Sequence, residues 1–193
     1  MSVYIIGIDP GQSGGIVALN NGSVVDISPM AAGPKAVAEH FRYLGFPGVI
    51  YNSDITAIFI ENVHSMPTDG VHSAFVFGQG LGWLEGVMAA MGLPEALKVN
   101  SSVWMGYFDL KRDKEQEEAK YDFKKRLKEK ALQLVEKNHK DDITLKTCDA
   151  YLIARYGNEY IQNGIKAKGI QDGVATTVEK ETKQRRVRKV VVS

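Results

Sequence analysis

The chain has 193 residues, within the range of one ordinary domain and long enough to bury a core without disulfides or a structural metal. Hydrophobic residues make up 44% and charged residues 24%, which excludes a wholly disordered chain. No apolar run reaches the ~18 residues of a membrane span, and a formal charge of +1 gives no hint of a nucleic-acid partner.

Residues 1 to 7 carry no basic n-region of a signal peptide. The single cysteine, Cys148, excludes an intramolecular disulfide and a multi-cysteine zinc site, and suits a reducing cytoplasm. Val3 to Ile8 is a compact apolar run of strand length, and Asp9-Pro10-Gly11-Gln12-Ser13-Gly14-Gly15 is a turn. Ile16 to Leu19 resumes as a second strand, which Asn20-Asn21-Gly22 turns back into Ser23 to Ile27 as a hairpin. Pro34 stands where a helix begins, with Ala36, Val37, His40, Phe41 and Leu44 following at helical spacing. Ile55 to Ile60 reads as a buried strand ending at Glu61-Asn62. A helix then covers roughly Val71 to Met91, and Leu97-Lys98-Val99 is a short strand. Charged helical sequence fills much of 113–139, and a last helix spans about Leu145 to Gln162. Strands followed by alternating helices and strands indicate an α/β layer on a mixed sheet. The expected division is one domain over 1–165 and a basic tail over 166–193. Gly78, Gly82 and Gly86 share one face of the second helix, where bare backbone permits close packing in the core or at a dimer seam.

Charge is unevenly divided. Residues 1–110 hold three basic and nine acidic side chains, a net of −6, and the remainder hold 21 and 14, a net of +7. Such asymmetry suggests a basic surface joined to an acidic site, because Lys and Arg hold nucleic acid by neutralising phosphates. The stretch 111–140 also reads as a solvated helix, since seven acids accompany its eleven bases. Lys180, Lys183, Arg185, Arg186, Arg188 and Lys189 make the tail either a phosphate-binding arm or a soluble end.

Three acids emerge from apolar surroundings. Asp9 ends the first strand, Glu61 follows Ala57-Ile58-Phe59-Ile60 directly, and Asp149 lies within Cys148-Asp149-Ala150-Tyr151-Leu152-Ile153-Ala154. Buried charges are rare unless paired, hydrogen-bonded or bound to metal. Three acids without an evident Arg partner favour a hard cation held by oxygen ligands, magnesium or manganese.

Ile6-Gly7-Ile8-Asp9-Pro10-Gly11 with Ser13-Gly14-Gly15, then Ile60-Glu61-Asn62-Val63, then Asp149-Ala150-Tyr151-Leu152-Ile153-Ala154, resembles the RuvC family of Holliday-junction resolvases. Glu61 to Pro67, with Gly70-Val71, Phe77-Gly78 and Gly82, is similar to its phage-encoded branch in particular. The resemblance covers about residues 3–160. It implies an α/β, RNase H-like fold: a mixed five-stranded sheet, first three strands antiparallel, flanked by helices. It also implies a homodimer in the cytoplasm (the host's, if phage-encoded) that cuts four-way DNA junctions symmetrically with Mg2+ or Mn2+. Asp9, Glu61 and Asp149 match three of the family's four catalytic acids. Lys146 occupies the fourth position, three residues before the last acid, a departure. Asp141 and Asp142 are the nearest spare acids. Asp142 lies ~10 Å from Asp149 along a continuous helix, and contributes only if the helix starts after it. Lys146 itself would supply a positive charge where a second cation otherwise sits, leaving one firmly held metal.

Lys111, Arg112, Lys114, Lys120, Lys124, Lys125, Arg126 and Lys128 are candidate phosphate contacts, which position a protein on DNA without reading bases. Phe75 and Phe77 read first as helix core and second as wedges at a branch. Trp104, Tyr107 and Phe108 read as core, and His64 and His72 as surface or structural histidines. Sugar kinases and actin-like ATPases share the Asp-x-Gly opening but generally need a second domain and a second phosphate loop, which 193 residues do not provide. A non-catalytic junction-binding protein with a degenerate site, and a related nuclease acting on RNA or forks, remain rival readings.

Overall fold

The computed structural model describes residues 3–44, 55–63, 70–111 and 118–163. Strands β1 (Tyr4–Asp9) and β2 (Gly15–Asn20) pair antiparallel, and β3 (Ser23–Pro29) pairs antiparallel to β2. The β2–β3 turn falls at Asn21 (φ 50°) and Gly22 (φ 83°), the left-handed pair that a two-residue hairpin with the sheet's twist requires. Strand β4 (Ile55–Glu61) lies parallel to β1, and β5 (Leu97–Val99) parallel to β4. The order is β3-β2-β1-β4-β5. This is the expected α/β architecture, a mixed five-stranded sheet with its first three strands antiparallel, flanked by helices. The helices are α1 (Gly33–Tyr43), α2 (Val71–Ala90), α3 (Ser101–Tyr107), α4 (Lys120–Leu134) and α5 (Cys148–Asn163), with a single 3-10 turn at Lys137–His139.

Strand alternation sorts the interior into two cores. Tyr4, Ile6 and Ile8 of β1 join Ile58 and Ile60 of β4 on the face covered by α1 and α2, with Val37, Phe41, Leu84 and Met88. Ile5, Ala57, Phe59, Leu97 and Val99 point to the opposite face, beneath α3, α4 and α5. Each large aliphatic side chain buried here contributes about 1.5–3 kcal/mol of transfer free energy. Gly7 occupies the second face at the middle of β1. A Cβ there would stand 2.3 Å from Ala154 N and 2.5 Å from Ala150 O, so only glycine lets α5 lie directly on the strand.

Three elements differ from their sequence reading. Helix α5 begins at Cys148 rather than near Leu145, because Thr144 and Thr147 build a hydrogen-bonded turn ahead of it. Thr144 N donates to Thr147 Oγ1 at 2.8 Å, and that hydroxyl donates to the Asp142 carbonyl at 2.7 Å. Helix α3 was not anticipated: seven residues between a strand and a loop are too few for a clear helical period. Helix α2 forms where expected but buries only Leu84 and Met88, leaving Val71 88%, Phe75 67% and Trp83 40% exposed. Phe75 is therefore not core. Trp104 and Phe108 are buried, whereas Tyr107 is partly exposed. No helix among the described residues is long and apolar enough to cross a membrane.

Candidate active site

Asp9 and Glu61 stand at the carboxyl ends of adjacent parallel strands. Gly7 pairs with Phe59 and Ile8 with Ile60, so the next positions are Asp9 and Glu61 side by side. Counting by twos from Ile5 and from Phe59 places both on the α5 face. After Asp9 the chain turns so tightly that a Cβ on Gly14 would stand 2.2 Å from the Asp9 carbonyl oxygen and 2.7 Å from its carboxyl carbon. Gly11 N donates to Asp9 Oδ1 at 3.2 Å and Gly14 N to the Gly11 carbonyl at 2.9 Å, which holds the carboxylate against the turn. The bare Cα of Gly14 thus serves the orientation of one side chain.

The third acid arrives from above. Asp149 lies in the first turn of α5, whose descent onto Gly7 brings it to the strand ends. Its carboxylate is buried and both oxygens are engaged: Lys124 Nζ donates to Oδ2 at 2.5 Å, and the Cys148 thiol donates to Oδ1 at 3.3 Å. The helix N-terminus also favours a negative charge at this place.

Burial and the charges of their neighbours act on these groups together. Burial, then the charges of Asp9 and Asp149, raise Glu61 to about 7, against a smaller opposing pull from Trp104 and Lys124. Burial and then Asp149 raise Asp9, with Lys124 and the Gly11 amide opposing. Burial by itself would depress Lys124, but attraction to Asp149, with Cys148 and Asp9 beyond, leaves it raised and firmly charged. Burial and Asp149 push the Cys148 thiol up to about 12, so it stays protonated as a donor.

The other expected residues are placed variously. Lys146 is exposed in the turn before α5, and the cation that reaches the carboxylates is Lys124, from α4. Asp142 pairs with His139 Nδ1 at 2.9 Å and is not among the acids acting on Asp9 or Glu61. Lys111, Lys120 and Lys125 are exposed and Lys128 half-buried; Lys125 also covers the ring of Tyr121 at 4.4 Å. Arg126 is committed to Glu118 through contacts of 2.8 and 2.9 Å. Arg112, Lys114, His64 and the tail 166–193 lie outside the described residues, while His72 is exposed on α2. Sequence reasoning ranked Lys124 with seven other bases, because nothing in its spacing points to an acid 25 residues away. Trp104 is core, as its sequence setting suggests.

Three neighbouring carboxylates are the donor chemistry a hard divalent cation takes. In this arrangement Lys124 holds Asp149, and among the described residues no three acids or histidines are gathered at ligating geometry. The donor set suits such an ion in its chemistry and not in its present geometry; occupancy would require the acids to close up and Asp149 to exchange its ammonium partner.

No protein-family model matches the chain, and no curated protein matches it by sequence. Among solved structures, T. thermophilus RuvC in complex with Holliday junction substrate is similar at 14% identity and a TM-score of 0.47. The match covers 86% of this chain and 98% of that one. A likeness so distant carries no weight for function, and the architecture stands on the strand order and register given above.

Proposed function

We propose that this chain is a metal-dependent, structure-selective endodeoxyribonuclease that resolves four-way DNA junctions by paired phosphodiester hydrolysis. The convergence of Asp9, Glu61 and Asp149 at the carboxyl ends of β1 and β4 and the first turn of α5 is the observation that carries this reading. The proposed domain is 1–165, with 166–193 as a basic arm. Asp9, Glu61 and Asp149 would hold Mg2+ or Mn2+, which supplies charge stabilisation for the attacking and leaving oxygens of an in-line displacement. Lys124 gives Asp149 a counter-charge and, released from it, is a point cation suited to a phosphate oxygen. Lys111, Lys120, Lys125 and Lys128 extend that cationic surface along the phosphate backbone, and Lys146 adds charge beside α5. One site metal with Lys124 as the second positive group is the proposed arrangement. Two fully occupied ions in a crystal with bound DNA would overturn it.

A junction presents scissile phosphates related by a two-fold axis, which a homodimer matches in symmetry. The support is α2, largely apolar yet buried at only two positions, with open space within 4 Å of Gly78, Gly82 and Gly86. An apolar face this exposed favours a second copy of the same face.

The Lys124–Asp149 pair also favours a second reading, a branched-DNA binder whose ligand set is closed by its own lysine. Cleavage assays with Mg2+ or Mn2+ on a synthetic four-way junction, a fork, a duplex and an RNA–DNA hybrid separate the readings. The nuclease reading expects paired nicks in the junction, and a loss of ~100-fold or more with Asp9→Asn while binding persists. Tight junction binding without cleavage by the wild type would establish the binder instead.

A further inference from the structure

Helix α4 sorts its charges by face. At about 100° per residue, Lys120, Tyr121, Lys124, Lys125 and Lys128 fall within roughly 140° of one another, while Asp122 and Glu129 lie outside that arc. The helix is seated through Leu127 and Ala131, which are buried, and Lys124 reaches from it to Asp149. The basic face therefore begins at the acid cluster and runs outward along α4. Its one aromatic ring is Tyr121, 60% exposed. An exposed tyrosine by itself needs no explanation. The company of this one sets it apart: Lys125 Nζ stands 4.4 Å from the ring centroid, and Lys124 follows three residues on. Residues three and four apart on a helix are neighbours, so the ring and the two ammonium groups form one continuous surface beside the acids. Lys125 also meets Asp122 at 3.4 Å, an exposed pair that costs little to break. Phe75 is comparably exposed on α2, but that helix carries no Lys or Arg to hold a phosphate beside the ring.

We propose that Tyr121 is the stacking platform for an unpaired base at a DNA branch, and so a determinant of structure selectivity. Lysines grip the phosphates of a junction and of a plain duplex alike. A ring face does discriminate. Within a continuous duplex both faces of each base are covered by its neighbours, whereas a base released at a branch has a face to offer an aromatic side chain. With that base on Tyr121, Lys125 serves the phosphate of the same nucleotide, and Lys120 and Lys128 serve the strand on either side. The inference rests on the reading of this chain as a branched-DNA protein, and gives that reading a residue that tells a junction from a duplex.

Binding of the full-length protein to a synthetic four-way junction and to a duplex of the same sequence, both in EDTA, tests the proposal. Tyr121 is exposed, so its replacements should melt as the wild type does. Tyr121→Ala should weaken junction binding on the order of tenfold and duplex binding by less than about twofold. Tyr121→Phe keeps the ring and should bind as the wild type. Tyr121→Leu is apolar without a π-face and should bind as Tyr121→Ala does. Lys125→Gln should instead weaken both substrates together. 2-Aminopurine at the branch should lose fluorescence on binding the wild type and keep it with Tyr121→Ala. Wild-type junction affinity in Tyr121→Ala overturns the proposal, as do equal losses on junction and duplex, or Tyr121→Leu binding like Tyr121→Phe. A junction preference that depends on Tyr121 in a protein that never nicks keeps the stacking role and removes the nuclease. A wild type that binds junction and duplex alike overturns the stacking role, while paired nicking of the junction would still uphold the nuclease.

Discussion

Glu61 carries an unusual consequence for stability. Its carboxyl is raised from 4.5 to about 7 in the folded chain by burial and by Asp9 and Asp149. Between those values the folded state keeps a proton that the unfolded state has released, so stability falls as pH rises through that window. Asp9, also raised, acts in the same direction. This is opposite to the familiar case of a salt-bridged carboxylate. Thermal melts of metal-free protein at about pH 5 and pH 8 should show the lower Tm at the higher pH. Glu61→Gln should flatten the difference, since the amide has no charge to bury; an identical slope in that variant would place the strain elsewhere. Asp9 and Glu61 were legible as candidates because a charge leaving an apolar strand is rare. Lys124 was not, because the contact that matters joins it to an acid 25 positions away in a chain with many lysines.

At the scale of elements, one missing side chain governs how α5 meets the sheet. Gly7→Ala puts a methyl against the backbone of Ala154 and Ala150, atoms that cannot rotate away. Denaturant unfolding should report a loss of about 2–3 kcal/mol or more, accompanied by weaker junction cleavage as Asp149 lifts from Asp9. Wild-type stability in this variant would mean that α5 does not lie where it is described. Helix α2 makes the complementary case, an element with too little to pack against. Phe75→Glu places a charge on its exposed face, so if the proposed dimer forms through α2, sedimentation should show a wild-type dimer and a folded monomer of this variant. A dimer that survives both Phe75→Glu and Val71→Glu would move the interface off this helix. Both helices were foreseen within a few residues from periodicity and flanking signals. That Phe75 is exposed was not, because an apolar helix reads the same whether a sheet or a second subunit covers it.

For the whole molecule the division of charge matters more than its sum. The first 110 residues carry −6 and the remainder +7, and the fold brings one cation of the basic half, Lys124, into the acidic site. A divalent ion there would cancel part of the acidity, making the working protein more positive than +1. Junction affinity should therefore fall steeply between about 50 and 200 mM salt, by a slope of roughly 0.9 for each phosphate neutralised. Replacing Lys120, Lys125 and Lys128 together should reduce that slope, measured by titration at several salt concentrations. Affinity indifferent to ionic strength would remove the phosphate-contact surface from the reading.

Strand and helix identities apart from α3, the mixed sheet and the three candidate acids follow from local information: runs of apolar residues, turn chemistry, and charges out of place among them. Each is a property of a few neighbouring positions, and so is visible in the sequence alone. Which side chains meet is a property of register and close approach. Pairing of Ile8 with Ile60 aligned Asp9 with Glu61, the bare Cα of Gly7 lowered Asp149 onto them, and the crossing of α4 with α5 chose Lys124 rather than the nearer Lys146 as the counter-charge. Those contacts depend on distances of a few ångströms between residues far apart in the chain, and only the tertiary structure sets them.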